Sequence, residues 1–72
     1  METLNLTLRQ RKLLHIIQEQ TGFITGSQLA AELGVSPRTI RSDVTLINRQ
    51  LAAHNARIFS ERSKGYLFQA EE

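Results

Sequence analysis

The sequence predicts a mainly α fold, α+β in class, in which three helices are closed by a C-terminal two-stranded hairpin. Three observations carry that expectation. Helix-start signatures of the form S/T-x-x-E/Q stand at Thr7-Leu8-Arg9-Gln10 and Thr25-Gly26-Ser27-Gln28. A third start, Ser36-Pro37, precedes an apolar stripe of Ile40, Val44, Ile47 and Leu51 at spacings of four, three and four. Beyond Asn55 the period changes from helical to two, in β-branched and aromatic-rich runs.

Helix one begins at Thr7, whose hydroxyl and the Gln10 amide can each satisfy a free N–H of the first turn. Leu13, Leu14, Ile16 and Ile17 form its apolar arc. It is expected to stop before Gly22, a residue suited to chain reversal. Phe23-Ile24 is too short for more than a bridging strand or a loop plug. Helix two shows a narrow apolar face of Leu29, Ala30 and Leu33, and Gly34 ends it as a left-handed C-terminal residue. In helix three, Ser36 caps and Pro37 occupies the first turn, where its missing N–H costs nothing. The helix is expected to run to about His54, with Asn55 as its stop. The hairpin pairs 57–60 with 66–69 across the polar loop Glu61-Arg62-Ser63-Lys64-Gly65. The expected core is Leu13, Ile16, Ile17, Leu29, Leu33, Ile40, Val44, Ile47, Leu51, Ile58 and Phe68.

Seventy-two residues make one small domain, too short for the deep pocket and loops of most enzymes. With no cysteine and only two histidines, His15 and His54, far apart in the chain, neither disulfides nor a zinc site is expected. No residue set supports catalysis, and no cofactor is implied. No apolar run approaches the length of a membrane span, and the N-terminus lacks a signal-peptide pattern, which is compatible with the cytoplasm. The net charge is +2, but three of the seven acids (Glu2, Glu71, Glu72) lie at the ends. The body therefore carries nine positive against four negative charges, a balance that suits an anionic partner such as nucleic acid. A soluble surface with acidic termini is the plainer alternative.

The join between helices two and three is the most informative feature. A short helix, the turn Gly34-Val35-Ser36 and a longer helix form a helix-turn-helix arrangement, with Val35 placed to plug the angle. At about 100° per residue, with Ile40 at zero, Val44, Ile47 and Leu51 fall within roughly 40°. Arg38, Arg41, Ser42, Thr45 and Arg49 fall between about 100° and 200°. That outer side joins arginines to hydroxyls without an acid, where an ordinary solvated face mixes signs at four-residue spacing. Arginine suits guanine edges and phosphates; serine and threonine suit bases or phosphates. Asp43, on the flank of the stripe, is expected to pair with a basic residue of helix one or to cap; a direct cytosine contact is the alternative. The hairpin tip, with Arg62 and Lys64, can lie along a phosphate backbone or enter a minor groove, unless it is only a flexible polar turn. His15 reads as a surface residue and Tyr66 as a packing residue rather than a base-stacking one.

Ile24-Thr25-Gly26-Ser27-Gln28-Leu29-Ala30, then Leu33-Gly34-Val35-Ser36-Pro37-Arg38-Thr39-Ile40-Arg41-Ser42-Asp43-Val44, resembles the bacterial winged helix-turn-helix of the DeoR-like type. Ser63-Lys64-Gly65-Tyr66-Leu67-Phe68 resembles its wing. The chain is most similar to N-terminal domains of sugar-operon regulators that carry phosphotransferase-system regulation domains, loosely labelled antiterminator-like. Biotin-repressor-type domains share much of the pattern. The resemblance implies a third helix in the major groove and a wing on the flanking backbone, roles that carry onto Arg38, Thr39, Arg41, Ser42, Arg62 and Lys64. Ser42 stands where a bulkier basic or amide residue is common. The expected DNA-binding set is Thr25, Ser27, Ser36, Arg38, Thr39, Arg41, Ser42, Thr45, Arg49, Arg62 and Lys64. Residues 1–6 are expected to be an N-terminal extension, 7–69 the winged helix-turn-helix, and 70–72 a tail or linker toward a downstream domain. Double-stranded DNA, a second copy in a full-length regulator and downstream regulatory domains are the expected partners, and a membrane is not. A protein-docking winged helix and an RNA-binding one are the rival readings.

A hairpin with Ser60 facing Tyr66 sets Phe59 opposite Leu67 and Ile58 opposite Phe68, on opposite faces. With Ile58, Phe68 and Tyr66 turned inward against helix three, Phe59 and Leu67 form an outer apolar pair. This pair is either a docking surface for a second copy or a downstream domain, or ordinary surface.

Overall fold

The computed structural model describes residues 5–70. Its order is α1 (Leu8–Glu19), α2 (Gly26–Leu33), α3 (Pro37–Leu51), one 3-10 turn (Ala52–His54), then β1 (Ala56–Glu61) and β2 (Gly65–Ala70). This is the three-helix, two-stranded winged helix-turn-helix architecture that the sequence predicts. Both capping boxes form. Thr7 and Thr25 each accept the backbone N–H of the glutamine three residues on, at 3.1 Å, and each glutamine side chain returns to the cap's own N–H. Gly34 ends α2 at φ 69°, and Ser36 accepts the N–H of Thr39 at the start of α3.

Two helix ends fall where the sequence places them but differ in how they are made. α1 ends at Glu19 with an extended cap at Gln20, and Gly22 does not adopt a positive φ, so the reversal there does not use a glycine's freedom. The α-helical ladder of α3 closes at Leu51. The chain tightens into the 3-10 turn through His54, and Asn55 takes the left-handed conformation at φ 56° that stops it.

The core holds Leu13, Leu14 and Ile17 of α1, Ile24 in the link before α2, Leu29 and Ala30 of α2, the whole Ile40–Val44–Ile47–Leu51 stripe, and Ile58 of β1. Ile16, Leu33 and Phe68, expected inside, are only partly buried and pack on its margin. The reason is angular. The residues of α1 that share one stripe are 10, 13, 14 and 17, which leaves Ile16 about 100° away from Ile17. Gln10, at the start of that stripe, is buried with them. Leu6, placed by the sequence in an extension, packs against the core, and the Asn5 N–H donates to Gln50 Oε1 at 3.3 Å.

The strands pair antiparallel in the expected register, with Ile58 opposite Phe68, Phe59 opposite Leu67 and Ser60 opposite Tyr66. β1 packs on α3 and β2 on α1. Tyr66 packs against the core, as expected, with its ring edge beside Gly26 in the first turn of α2. Phe23-Ile24 contributes a single bridge. Ile24 N–H donates to Tyr66 O at 2.9 Å, and Tyr66 N–H to Ile24 O at 2.8 Å. Gly65 makes that approach possible. It lies at φ 108°, and a Cβ there would collide with the Ile24 carbonyl. The outer pair is less bare than expected: Phe59 and Leu67 are each half-buried, and the Arg57 guanidinium lies 4.5 Å from the Phe59 ring centroid.

Candidate nucleic-acid interface

The stripe on α3 determines what its opposite side can present. Because Ile40, Val44, Ile47 and Leu51 are buried, Arg38, Arg41, Ser42, Thr45 and Arg49 are all exposed. From Arg38 to Arg49 they span about 16 Å of helix, at 1.5 Å per residue. Thr45 donates its hydroxyl proton to Arg41 O at 3.1 Å, so toward a ligand it is an acceptor. Thr39 departs from the outward set. It is half-buried, and its Oγ1 lies 3.1 Å from Ser36 Oγ, so both hydroxyls serve the helix start. In the same way the Thr25 hydroxyl serves the start of α2, bonded to the N–H and the Oε1 of Gln28. Ser27, in the first turn of α2, is exposed.

Asp43 is the one carboxylate of α3, and it does not reach the outer face. It is 2% exposed and is gripped by Arg9 of α1, with Nε at 2.7 Å from Oδ2 and Nη2 at 3.1 Å from Oδ1. Gln10 Nε2 adds a third bond to Oδ1, at 3.3 Å. The ion pair to helix one is thus the contact formed, and a cytosine contact has no accessible oxygen to use. The Arg9 hydrogen bonds hold the Asp43 carboxyl below its ordinary range; burial opposes this, while Gln10 and the Arg9 charge assist it. One consequence is electrostatic: the only acid of α3 is neutralised on the core side, so the arginines opposite are not offset from within their own helix.

Arg62 and Lys64 are exposed in the turn between the strands. The Lys64 N–H donates to Glu61 O at 3.1 Å, which shapes the turn, and its ammonium stands 5.6 Å from the Phe23 ring centroid. His15 is exposed on α1 with Glu19 beside it. Among the described residues, no cluster of three His, Asp or Glu could hold a metal ion, and no helix is long and apolar enough to cross a membrane.

Sequence reasoning missed two side chains that organise this region. Gln10 is visible only as half of a capping box, although it also holds Asp43. Asn48 bonds both peptide groups of Ile58. Its only signal in the sequence is a position about 80° from Ile40, at the edge of the stripe.

A family model described as an HTH domain matches residues 9–67. The chain is 31% identical over 64 residues to a Bacillus subtilis (strain 168) protein named "Probable licABCH operon regulator". That match takes in 89% of this chain and 10% of the relative, so the chain spans about a tenth of that protein's length. No solved structure matches it significantly. With a family match over most of its length, and three helices closed by a two-stranded wing, the chain belongs to the HTH domain family, in its winged form.

Proposed function

We propose that this chain is a duplex-DNA-binding domain that acts in a bacterial operon regulator and reads sequence with α3. The observation that carries this reading is the outer face of α3: Arg38, Arg41 and Arg49 with Ser42 and Thr45, all exposed, while the helix's one carboxylate is turned away and paired. In the docked arrangement Arg38, Arg41 and Ser42, in the first turns, reach base edges, and Thr45 and Arg49 follow the groove toward phosphates. Arg62 and Lys64 bind the flanking backbone. Ser27 and the start of α2 meet a phosphate on the other side. Ser36, Thr25 and Thr39 act mainly by holding helix starts in place.

The similarity to a named operon regulator supports transcriptional control. The resemblance described above points to carbohydrate-uptake or utilisation genes, to downstream regulatory domains and to work in the cytoplasm. One winged helix covers few base pairs, so tight operator binding calls for a second copy on a second half-site. Selection of bound sequences from a random duplex pool, repeated at several salt concentrations, tests the reading. Enrichment of a common motif, with affinity falling steeply as salt rises, is expected. A pool that stays random, preference for RNA in direct competition, or salt-independent binding to a protein instead would each refute it.

A further inference from the structure

The two strands of the wing are tied to the rest of the molecule along both outer edges, and the two ties differ in kind. On β2, the peptide groups of Tyr66 exchange backbone hydrogen bonds with Ile24. On β1, the tie is made by a side chain, at Ile58, two residues from Ser60, the strand partner of Tyr66. Ile58 N–H donates to Asn48 Oδ1 at 2.7 Å, and Asn48 Nδ2 donates to Ile58 O at 3.1 Å. The carboxamide therefore substitutes for the peptide of a third strand, and asparagine alone among short side chains offers both a donor and an acceptor in one plane. Asn48 belongs to α3, one residue before Arg49 of its outer face.

We propose that Asn48 is a positioning residue that aims the wing relative to α3, and so sets which phosphates Arg62 and Lys64 reach for a given set of bases read by Arg38 and Arg41. The proposal rests on the DNA-binding reading above. A two-stranded sheet has little stiffness of its own, so its direction depends on what grips its base. From Ile58 to the turn at Ser63 the lever is about 16 Å, at 3.3 Å per residue. A tilt of about 10° at Ile58 then moves the tip by about 3 Å, the full length of a hydrogen bond. Ile24 restrains the β2 edge near the tip, but among the described residues only Asn48 links the sheet by hydrogen bonds to the helix that carries the base-reading side chains.

Two variants test this in the intact chain. Asn48→Asp keeps an acceptor for Ile58 N–H but sets a carboxylate against Ile58 O; Asn48→Ala removes both bonds. Residual dipolar couplings report the direction of β1 and β2 relative to α3. Duplex affinity against salt is measured for each background with and without Arg62→Ala plus Lys64→Ala. With Asn48 present, removing both wing cations is expected to shallow the salt slope by about two units. In either Asn48 variant the slope is already shallower, the same removal changes it by less than about half a unit, and the couplings show a reoriented wing on an unchanged helical core. Equal slope losses in all backgrounds, or an unmoved wing, overturn the proposal. So does loss of the helical core in both variants, which would make Asn48 a support of the fold and not of the wing's aim. A chain with Asn48 intact that ignores duplex DNA overturns the DNA-binding reading itself; the couplings then still decide whether Asn48 orients the wing.

Discussion

Three glycines of this chain stand in three different physical situations, and alanine at each should separate them. At Gly65 the backbone lies at φ 108°, and a Cβ would overlap the Ile24 carbonyl and come 2.7 Å from Thr25 Cα. Neither atom can step aside, because both belong to backbone held by the bridge to Tyr66. The strain at that φ costs about 1–3 kcal/mol. If the bridge opens to relieve the clash, its two hydrogen bonds are lost at about 0.5–1.5 kcal/mol each. Gly65→Ala should therefore destabilise by about 2–6 kcal/mol, a large part of the stability of a domain this small. At Gly34 φ is 69° but nothing lies within 4 Å, so only the left-handed backbone is penalised, by about 1–2 kcal/mol. At Gly22 neither condition holds. Alanine there removes only unfolded-state freedom and should stabilise by about 0.4–1 kcal/mol. Thermal unfolding followed by circular dichroism reads the series, at about 4–8 °C per kcal/mol for this chain length. The expected order of melting temperature is Gly22→Ala above wild type, then Gly34→Ala, then Gly65→Ala at least about 8 °C below wild type. A Gly65→Ala variant that melts with the wild type would refute the close approach of wing and bridge. A Gly22→Ala variant as damaged as Gly65→Ala would refute the reasoning as a whole.

Other outcomes follow from the same geometry. Arg38→Ala and Arg41→Ala should each weaken binding to a selected duplex by about 1–3 kcal/mol while the melting temperature holds, as fluorescence anisotropy titration can check; unaltered affinity in both removes the proposed docking mode. Arg62→Ala and Lys64→Ala should weaken all duplexes alike and reduce the salt slope by about one unit per lost phosphate contact, and a fixed slope would separate the wing tip from DNA. Asp43 has a folded pKa below its unfolded value, so its contribution to stability is present above the unfolded value near 4 and is lost as pH falls through the folded one. Urea unfolding should accordingly show a loss below about pH 4 that Asp43→Asn flattens, and an equally steep loss in that variant would assign it to other carboxylates. Phe59→Ser with Leu67→Ser should leave this chain folded and disturb self-association or interdomain contact in a longer regulator, measured by sedimentation. Unfolding of the chain would instead mark that face as part of the core.

The sequence alone determined what depends on neighbours a few residues apart. Capping boxes need a hydroxyl and an amide three positions apart, and both are readable as Thr7–Gln10 and Thr25–Gln28. The stripe of α3 is a spacing, and so the outward arginines were legible from it. The strand register follows from the loop length, which pairs Ser60 with Tyr66. What only the tertiary structure decided was the fate of residues at the edge of a stripe. Gln10, Asp43 and Asn48 stand where a small rotation or shift of one helix against another exchanges water for a partner. The partners they found lie on other elements, 34 residues away for Arg9 and Asp43 and ten for Asn48 and Ile58. The same holds for Ile16 and Leu14, which exchanged places as core and margin because α1 must face α2, α3 and β2 together. Periodicity names the face of a helix. The angle at which faces meet is set by the packing of all of them at once, and no local pattern carries it.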